Sequence, residues 1–505
     1  MKYIILILTL ISFNVNAIEE VVLEPLPLLP LNEIEEVVVV GAKIYQGVAD
    51  PTSDNILTTI EPTRPFVIGA FNGLQLSGTD TKHTGVFKNG IPVNDPSSGW
   101  YDFGQDLSTN QKVTIISGAN SVRYGSGSMA GVVLLEDDFG KGFYTTLSTD
   151  KTKMMVEHEF FQIATYRGTS GSVKTDNDEV DWYENKTFKL GHDIYNLEVV
   201  DYSYDYDGCY NEYFVLTDDC NVEGQKITAS IDHDRFTLGH TTNEAIYNTG
   251  TVIESDRTYG DILLYDDNGH ELGVTAQKET YGERKRYTNA AYYIWSNDNV
   301  SLGYRYEEGE RIVRLGLENN GYRFSMGNSY RLPNLYEQFG DSWVSSNPNL
   351  LPEQGRGTEL GYKGLSLYYY KFDEGIDFDM NAYSYINTGE YRSRGIRLEK
   401  NIGKVFVYGE ITDSDKLRVP NYRTKIAYTD YGFTIEYLGE FDKGVDFDGR
   451  LIDDVSTFNI SYSFTNGAIG TYKLEIEDAL DNSYEYIPDY AAGGRTFRLS
   501  WNLLW

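Results

Sequence analysis

Four aspartates crowd one short stretch of this chain: Asp205, Asp207, Asp218 and Asp219 fall within fifteen residues. Calcium takes six to eight oxygen ligands and favours flexible acidic loops of this kind. The run "TDNDEVD" at 175–181 could add oxygens from a neighbouring loop. Acidic clusters more often only solvate a surface, so a calcium site and a plain charged loop both stand. Two thiols lie in the same stretch, Cys209 and Cys220, eleven residues apart and the only cysteines in the chain. Little else suggests bond-making chemistry. Six histidines, no nucleophile–base spacing and no zinc-type His/Cys grouping argue against an enzyme.

Such loops need elements to hold them, and the start of the chain indicates their compartment. Lys2 precedes an apolar run over 4–11, and "NVNA" ends on the small residue Ala17. That is the layout of a secretory signal peptide, too short to span a bilayer. Residues 1–17 are therefore expected to be a signal peptide, with the mature chain starting near Ile18. In a periplasm-crossing protein Cys209 and Cys220 are expected to pair, rather than to ligate a metal as two thiols. Closing so short a loop contributes about 3 kcal/mol. The net charge of −33 repels phosphates, so no nucleic-acid partner is expected. Mean hydropathy is −0.42, and no later stretch approaches the roughly 18 consecutive apolar residues of a membrane helix.

Composition points instead to strands. The chain has 42 Tyr, 23 Phe and 49 Gly against 13 Pro, which suits many short strands joined by tight turns. Phe458, Ile460, Tyr462 and Phe464 alternate with polar residues, then Asn466-Gly467 precedes Tyr472, Leu474 and Ile476. Period 2 on both sides of Asn-Gly predicts a hairpin whose two central residues reach positive φ. Asn320-Gly321 and Asn268-Gly269 repeat the device, and Ile227, Ala229 and Ile231 share one face of another strand. The pattern runs from about residue 140 to Trp505, too long for an ordinary sandwich and suited to a membrane barrel. The final strand ends on an aromatic. Before it, "VTIISG" and "GVVLLE" are short apolar strands without a hairpin series, as in a separate small domain.

Several stretches together resemble a known family. "GVFKNGIPVNDPSSGWYDFG" (85–104) and "VTIISGANSVRYGSGSMAGVVLLE" (113–136) resemble the plug domain of TonB-dependent outer-membrane receptors. "YRLPNLYEQFG" (330–340), "NPNLLPEQGRGTELGY" (347–362), "INTGEYRSRGIRLE" (386–399) and "DALDNSYEYIPDYAAGGRTFRLSW" (478–501) follow in the family's order. The resemblance implies a membrane all-β fold: a large antiparallel transmembrane β-barrel of about 22 strands, occluded by a small N-terminal α/β plug. It implies a signal peptide over 1–17, a flexible periplasmic segment over 18–43, a plug over 44–138 and a barrel over 139–505. Roughly 17 residues per strand and connection are then available, so most outer loops must be clipped.

The resemblance also gives a role to "EEVVVVGA". Glu36, Val37, Val38, Val39, Val40, Gly41 and Ala42 resemble a TonB box, an extended peptide that adds a strand to a partner's sheet edge. The proline-rich run before it supplies a stiffened leash. "IEEVV" occurs at 18–22 and at 34–38, and the second copy continues into Gly41-Ala42 beside the plug. The implied partner is the TonB–ExbB–ExbD energy-transducing complex, with outer-membrane lipid around a monomeric barrel. One departure stands out: Ser117-Gly118-Ala119 occupies the place of the family's Arg-Gly-Pro, whose arginine helps to latch plug to wall.

Among these receptors the cobalamin transporters are the nearest resemblance. Their early-barrel calcium loop is similar to "DYSYDYDGCYNEYF" (201–214), with Asp205 on an expected aspartate and Asn211 where a second is expected. Asp205, Asp207, Asn211, Asp218 and Asp219 are thus the candidate Ca²⁺ ligands. By the same analogy "PSSGWY" lies on the plug's outward apex, making Ser97, Ser98, Trp100 and Tyr101 candidate ligand contacts through aromatic surface. A ferric-siderophore receptor shares plug, barrel and box. A haem receptor fits less well, because no histidine lies between Arg331 and Asn347. A passive porin or structural barrel would have no use for plug or box.

Overall fold

A computed structural model describes residues 43–49, 65–68 and 71–505, other than 106–108, 170–181, 193, 207–208, 211–215, 218–219, 248–250, 342, 447–448, 468, 483, 489 and 492–493. The expected signal peptide over 1–17 and the expected box at 36–42 lie outside the described residues.

The N-terminal strands are β1 (Lys43–Val48), β2 (Pro65–Ile68), β3 (Phe71–Leu74), β4 (Thr84–Lys88), β5 (Ile91–Pro92), β6 (Gln111–Ser117) and β7 (Gly131–Asp137). Five form a mixed sheet in the order β1-β6-β7-β4-β5, and β2 pairs with β3. The runs "VTIISG" and "GVVLLE" fall in β6 and β7, the sheet's centre. Val113, Ile115, Val132 and Val133 are all fully buried there. Burial on both faces is why these strands read as unbroken apolar runs rather than as alternation. Among the described residues, helix in this domain amounts to the single turn α1 (Ser121–Tyr124) and two 3-10 turns.

Twenty-two antiparallel strands, from Gly142–Ser148 to Thr496–Leu504, close into one barrel whose first and last strands pair. Chain direction alternates, so successive connections fall at opposite ends. At one end every connection is two or three residues. The longer loops, such as 332–352, 442–454 and 478–495, all lie at the other end, where several connections are also as short as two residues (149–150, 282–283, 308–309). The clipping expected from chain length is therefore real, and the short-turn end has the form of a periplasmic rim.

Burial in the strands is inverted relative to a soluble sheet. On the strand Trp182–His192, Lys189 is 0% exposed while its neighbour Leu190 is 42% exposed. On Cys220–His233 Lys226, Thr228 and Ser230 are buried, on the same face as Cys220 and Val222, and Ile227, Ala229 and Ile231 face outward. A sandwich would bury the opposite face of each strand. Here the polar face meets the plug and the apolar face forms an outer band that hydrocarbon can cover. This excludes the soluble alternative.

Glycine solves one recurring problem at the short-turn end. Asn268 and Gly269 have φ of 52° and 78°, and Asn320 and Gly321 have 51° and 81°, as a type I′ hairpin requires. A Cβ on Gly269 would stand 2.0 Å from the Ser296 carbonyl oxygen, because Ser296 N donates to Gly269 O at 2.8 Å. Gly364 against Glu399 and Gly432 against Ser463 repeat this arrangement at 2.1 and 2.2 Å. The turn glycines thus let the next strand's ladder run on past the hairpin tip. Asn466-Gly467 departs from the two-residue turn expected of it. Asn466 stays in its strand, paired with Gly470, and Gly470 takes the positive φ of 96°. The extra residue moves the left-handed position three places along.

Candidate functional site

The apex of the plug grows out of one tight turn. Asn89 and Gly90, at φ of 46° and 81°, fold β5 back on β4. The chain then enters the loop 93–102, which Asp95 organises. Its Oδ1 accepts from the backbone N of Ser97 at 2.6 Å and of Ser98 at 3.2 Å, and from the Ser97 hydroxyl. Its Oδ2 accepts from wall residues Asn243 at 3.1 Å and Ser255 at 2.7 Å. One carboxylate therefore shapes the loop and ties it to the barrel.

A second tie comes from above. Helix α2 (Leu335–Phe339) lies in the long loop 332–352 and starts on Asn334, whose side chain and that of Glu337 form a capping box. Leu335 N and Tyr336 N donate to the Pro96 and Ser97 carbonyls at 3.1 and 3.2 Å. Asn334 Nδ2 donates to Ser98 O at 2.8 Å. The motif "YRLPNLYEQFG" is thus the clamp on "PSSGWY". Because α2 belongs to the long-loop end, the apex faces that end.

Between apex and wall lies a cavity of about 260 Å³. All four expected contacts, Ser97, Ser98, Trp100 and Tyr101, line it. Their roles differ. Tyr101 is buried in the plug core, edge-on to Phe103 at 4.8 Å, with Lys226 Nζ 4.1 Å from its ring centre. Trp100 is half-buried and lies against Gly73, where an added Cβ would meet its ring at 3.1 Å. Tyr202, Tyr204, Tyr247, Tyr281 and Tyr336 form much of the facing side, and these were missed. For Tyr202 and Tyr204 the signal was the alternation in "DYSYDY", but alternation cannot say which face is the lumen.

The acidic loop is described only in part. Asp205 is half-buried, on the strand face opposite Tyr202 and Tyr204, and accepts from Asn221 Nδ2 at 2.9 Å. Asp207, Asn211, Asp218 and Asp219 lie outside the described residues. Among the described residues no three His, Cys, Asp or Glu side chains gather as a metal site. Cys220 is buried and disulfide-bonded, and Cys209, the other cysteine, has its backbone in a short strand of the same loop.

Below the apex the plug is seated by ion pairs that cross to the wall. Lys88 of β4 meets Glu198 at 2.6 Å, and Asp137 of β7 meets Lys189 at 2.7 Å, all four buried. Burial alone would raise the Asp137 carboxyl, but Lys189 and Lys88 overcome it and hold the group well below the usual carboxylate range. On another side Lys82 reaches Glu337 at 2.9 Å, and His83 Nε2 lies 2.8 Å from Glu353. Burial opposes the charge on Lys82, yet Glu337 and Asp80 raise its pKa. Glu337 also pairs with Arg331 at 2.8 Å, so this network runs into the cap of α2.

The missing latch arginine is supplied from the opposite partner. Arg314 of the wall donates through Nη1 to Ala119 O and, at 2.5 Å, to Asn120 Oδ1. Ser117 Oγ donates to Glu359 at 2.8 Å. A guanidinium thus sits beside Ser117-Gly118-Ala119 after all, carried by the barrel instead of the plug.

Comparisons with known proteins match both halves of this architecture. Residues 58–132 match the TonB-dependent Receptor Plug Domain family. The vitamin B12 transporter BtuB of Vibrio cholerae is 24% identical over 246 residues, covering 42% of this chain and 38% of that relative's length. The siderophore receptor PirA of Acinetobacter baumannii superposes with a TM-score of 0.62 at 13% identity, covering 92% of this chain and 98% of that one. A variant of the ferric enterobactin receptor PfeA of Pseudomonas aeruginosa, in complex with enterobactin, gives 0.62 at 12% identity over 90% and 98%. Plug and barrel agree on one likeness: the chain carries a TonB-dependent receptor plug domain over 58–132, inside a barrel that shares its fold with solved siderophore receptors.

Proposed function

We propose that this protein sits in a Gram-negative outer membrane and takes up a large, scarce nutrient in steps driven by a periplasmic partner. The observation that carries this reading is the tyrosine-rich cavity at the plug's outward apex, closed beneath by a plug held through ion pairs. A cavity of about 260 Å³ takes one edge of a large ligand, and flat aromatic surface offers contact at little entropic cost. An open porin would gain nothing from such a seat. The partner is TonB with ExbB and ExbD, gripping 36–42 by strand addition, and the receptor works as a monomer.

Cobalamin is the preferred ligand, supported by the 24% identity to a vitamin B12 transporter and by the acidic loop as a Ca²⁺ site. A ferric siderophore is the second reading, favoured by the structural neighbours. Binding of cyanocobalamin to the purified protein, with calcium and with chelator, separates them. Cobalamin binding strengthened by calcium, and weakened about tenfold or more by Trp100→Ala (about 1.4 kcal/mol), is the expected result. Equal affinity with chelator removes the calcium claim. No cobalamin binding, with retention of a ferric siderophore, favours the second reading.

A further inference from the structure

Three cavities lie against one sector of the wall. The apex cavity shares Asn94, Asp95, Pro96 and Arg257 with a smaller one of about 70 Å³. That one descends past Tyr124–Gly127 to Arg305 and Glu307. The third, about 620 Å³, sits at the short-turn end behind Ser301, Gly316, Ser325 and Glu359, and no plug residue lines it. The plug piece between the second and third is 118–127. Its Tyr124–Gly127 end lines the middle cavity, and Ser117, just before it, bonds Glu359 of the lower one.

This piece is held by the wall as well as by its own domain, where Asn120 Nδ2 donates to the Ile116 and Ser117 carbonyls at 3.2 Å and the Tyr124 ring lies 5.0 Å from that of Phe87. Its backbone reaches β7 and the preceding turn only through Gly118 N to Ala130 O and Asn120 N to Ser128 O, both 2.9 Å. Its other backbone hydrogen bonds are internal, apart from Ser128 N to Gly125 O at 3.4 Å and Gly127 N to Tyr330 O at 3.1 Å. Val122 is fully buried among wall residues Tyr292, Ile294, Ile312 and Tyr330. Arg123 pairs outward with Asp261 at 2.6 Å and Glu271 at 3.1 Å. Glycines at φ of 100°, 74° and 85° (118, 125 and 127) stand at its two ends, where backbone can swing without steric penalty from a Cβ. The clamp on it is incomplete: Arg314, 3% exposed, has Nε and Nη2 without a hydrogen-bond partner, which weakens the closed position.

We propose that 118–127 is a flap that moves by itself, joining the three cavities into one path along this wall while the plug sheet stays seated. Moving the whole plug would separate Lys88 from Glu198 and Asp137 from Lys189, leaving buried charges unpaired. Moving the flap breaks the two part-exposed Arg123 pairs, the Arg314 clamp, the Val122 contact with the wall, the Tyr124–Phe87 ring contact and single hydrogen bonds to Ala130, Tyr330 and Leu332. What travels along the path rests on the transport reading above. The flap itself does not.

Hydrogen exchange on the purified full-length protein tests the flap without any ligand. Amides within 118–127 are expected to exchange at least tenfold faster than those of β6 and β7, and equal protection overturns the proposal. A lock sharpens this. A Cβ at Gly303 would lie 3.5 Å from Val122 Cβ, within disulfide reach. Oxidised Val122→Cys/Gly303→Cys should slow flap exchange to the level of β6, and its reduced form should match wild type, which also controls for folding. Ile91→Cys/Gly239→Cys pins the plug elsewhere, where Ile91 Cγ2 lies 2.6 Å from a Gly239 Cβ, and should leave flap exchange unchanged. In energised cells, uptake of cyanocobalamin or ferric enterobactin should be lost only with the first lock and return with reductant. Uptake blocked by both locks means that the whole plug moves, and uptake blocked by neither means that the path lies elsewhere; each overturns the proposal. Wild-type cells that take up neither probe, with the flap exchanging independently, overturn the transport reading and uphold the flap.

Discussion

Asp137 and Lys88 of the plug each face an opposite charge on the wall, and each wall partner, Lys189 and Glu198, lies within 3.5 Å of the other. Such a four-charge cluster adds less to net stability than its Coulomb attraction suggests, because all four groups lose water. It does fix position, since any other seat strands a buried charge. Asp137→Asn should lower stability against denaturant by about 3 kcal/mol, the low end for a broken buried pair, because Glu198 still faces Lys189. The sign with pH follows from a carboxyl held low in the folded state. Its stabilisation is complete above the unfolded value near 4 and is lost as pH falls through the lower folded one. Unfolding followed from pH 7 to pH 3 should therefore show a decline below about pH 4 that shrinks in Asp137→Asn. The place of Ser97, Ser98, Trp100 and Tyr101 at the apex was legible through a motif. Lys226 and the wall tyrosines 202, 204, 247 and 281 were not, because their strands are ordinary alternating strands until the barrel closes, nor was Tyr336, which α2 brings over the apex.

At the scale of elements, hairpins were the most legible feature. Asn-Gly between two period-2 runs specifies a turn through backbone sterics alone, and Asn268-Gly269 and Asn320-Gly321 form as expected. The neighbouring strand adds a demand invisible in the turn itself: Gly269 must also admit the Ser296 carbonyl. Gly269→Ala should therefore reduce the yield of folded, heat-modifiable barrel, since its Cβ would meet that oxygen at 2.0 Å in a conformation already costly for alanine. Gly309, whose φ is 93° but whose Cβ would meet nothing within 4 Å, is the control and should lose much less. Gel mobility with and without heating reads both. Ser117-Gly118-Ala119 teaches the complementary point. A motif residue lost from one element can be replaced by Arg314 from another, and no local pattern announces that.

For the whole molecule, coupling and binding should separate. On the transport reading proposed above, Val38→Pro removes a ladder donor from the proposed box, so uptake of cyanocobalamin should fall to background in cells while surface binding of the same ligand survives. Unimpaired uptake, with the 18–22 copy also disrupted, would rule out an energised transporter. The strand spacing, the turn glycines, the apolar runs of β6 and β7 and the order of the receptor motifs were determined by the sequence itself, because each depends on sterics and periodicity over a few residues. Which face of each strand is the lumen was decided only by closure into twenty-two strands, since both faces of "QKITASIDH" are chemically plausible interiors until the plug occupies one of them. The ion pairs that seat the plug, the wall-borne arginine beside its turn and the tyrosines over its apex join residues roughly 50 to 270 positions apart, as Asp137 to Lys189 and His83 to Glu353 do. Their meeting depends on the stagger of strands around the barrel, a property of the closed sheet that no single strand encodes.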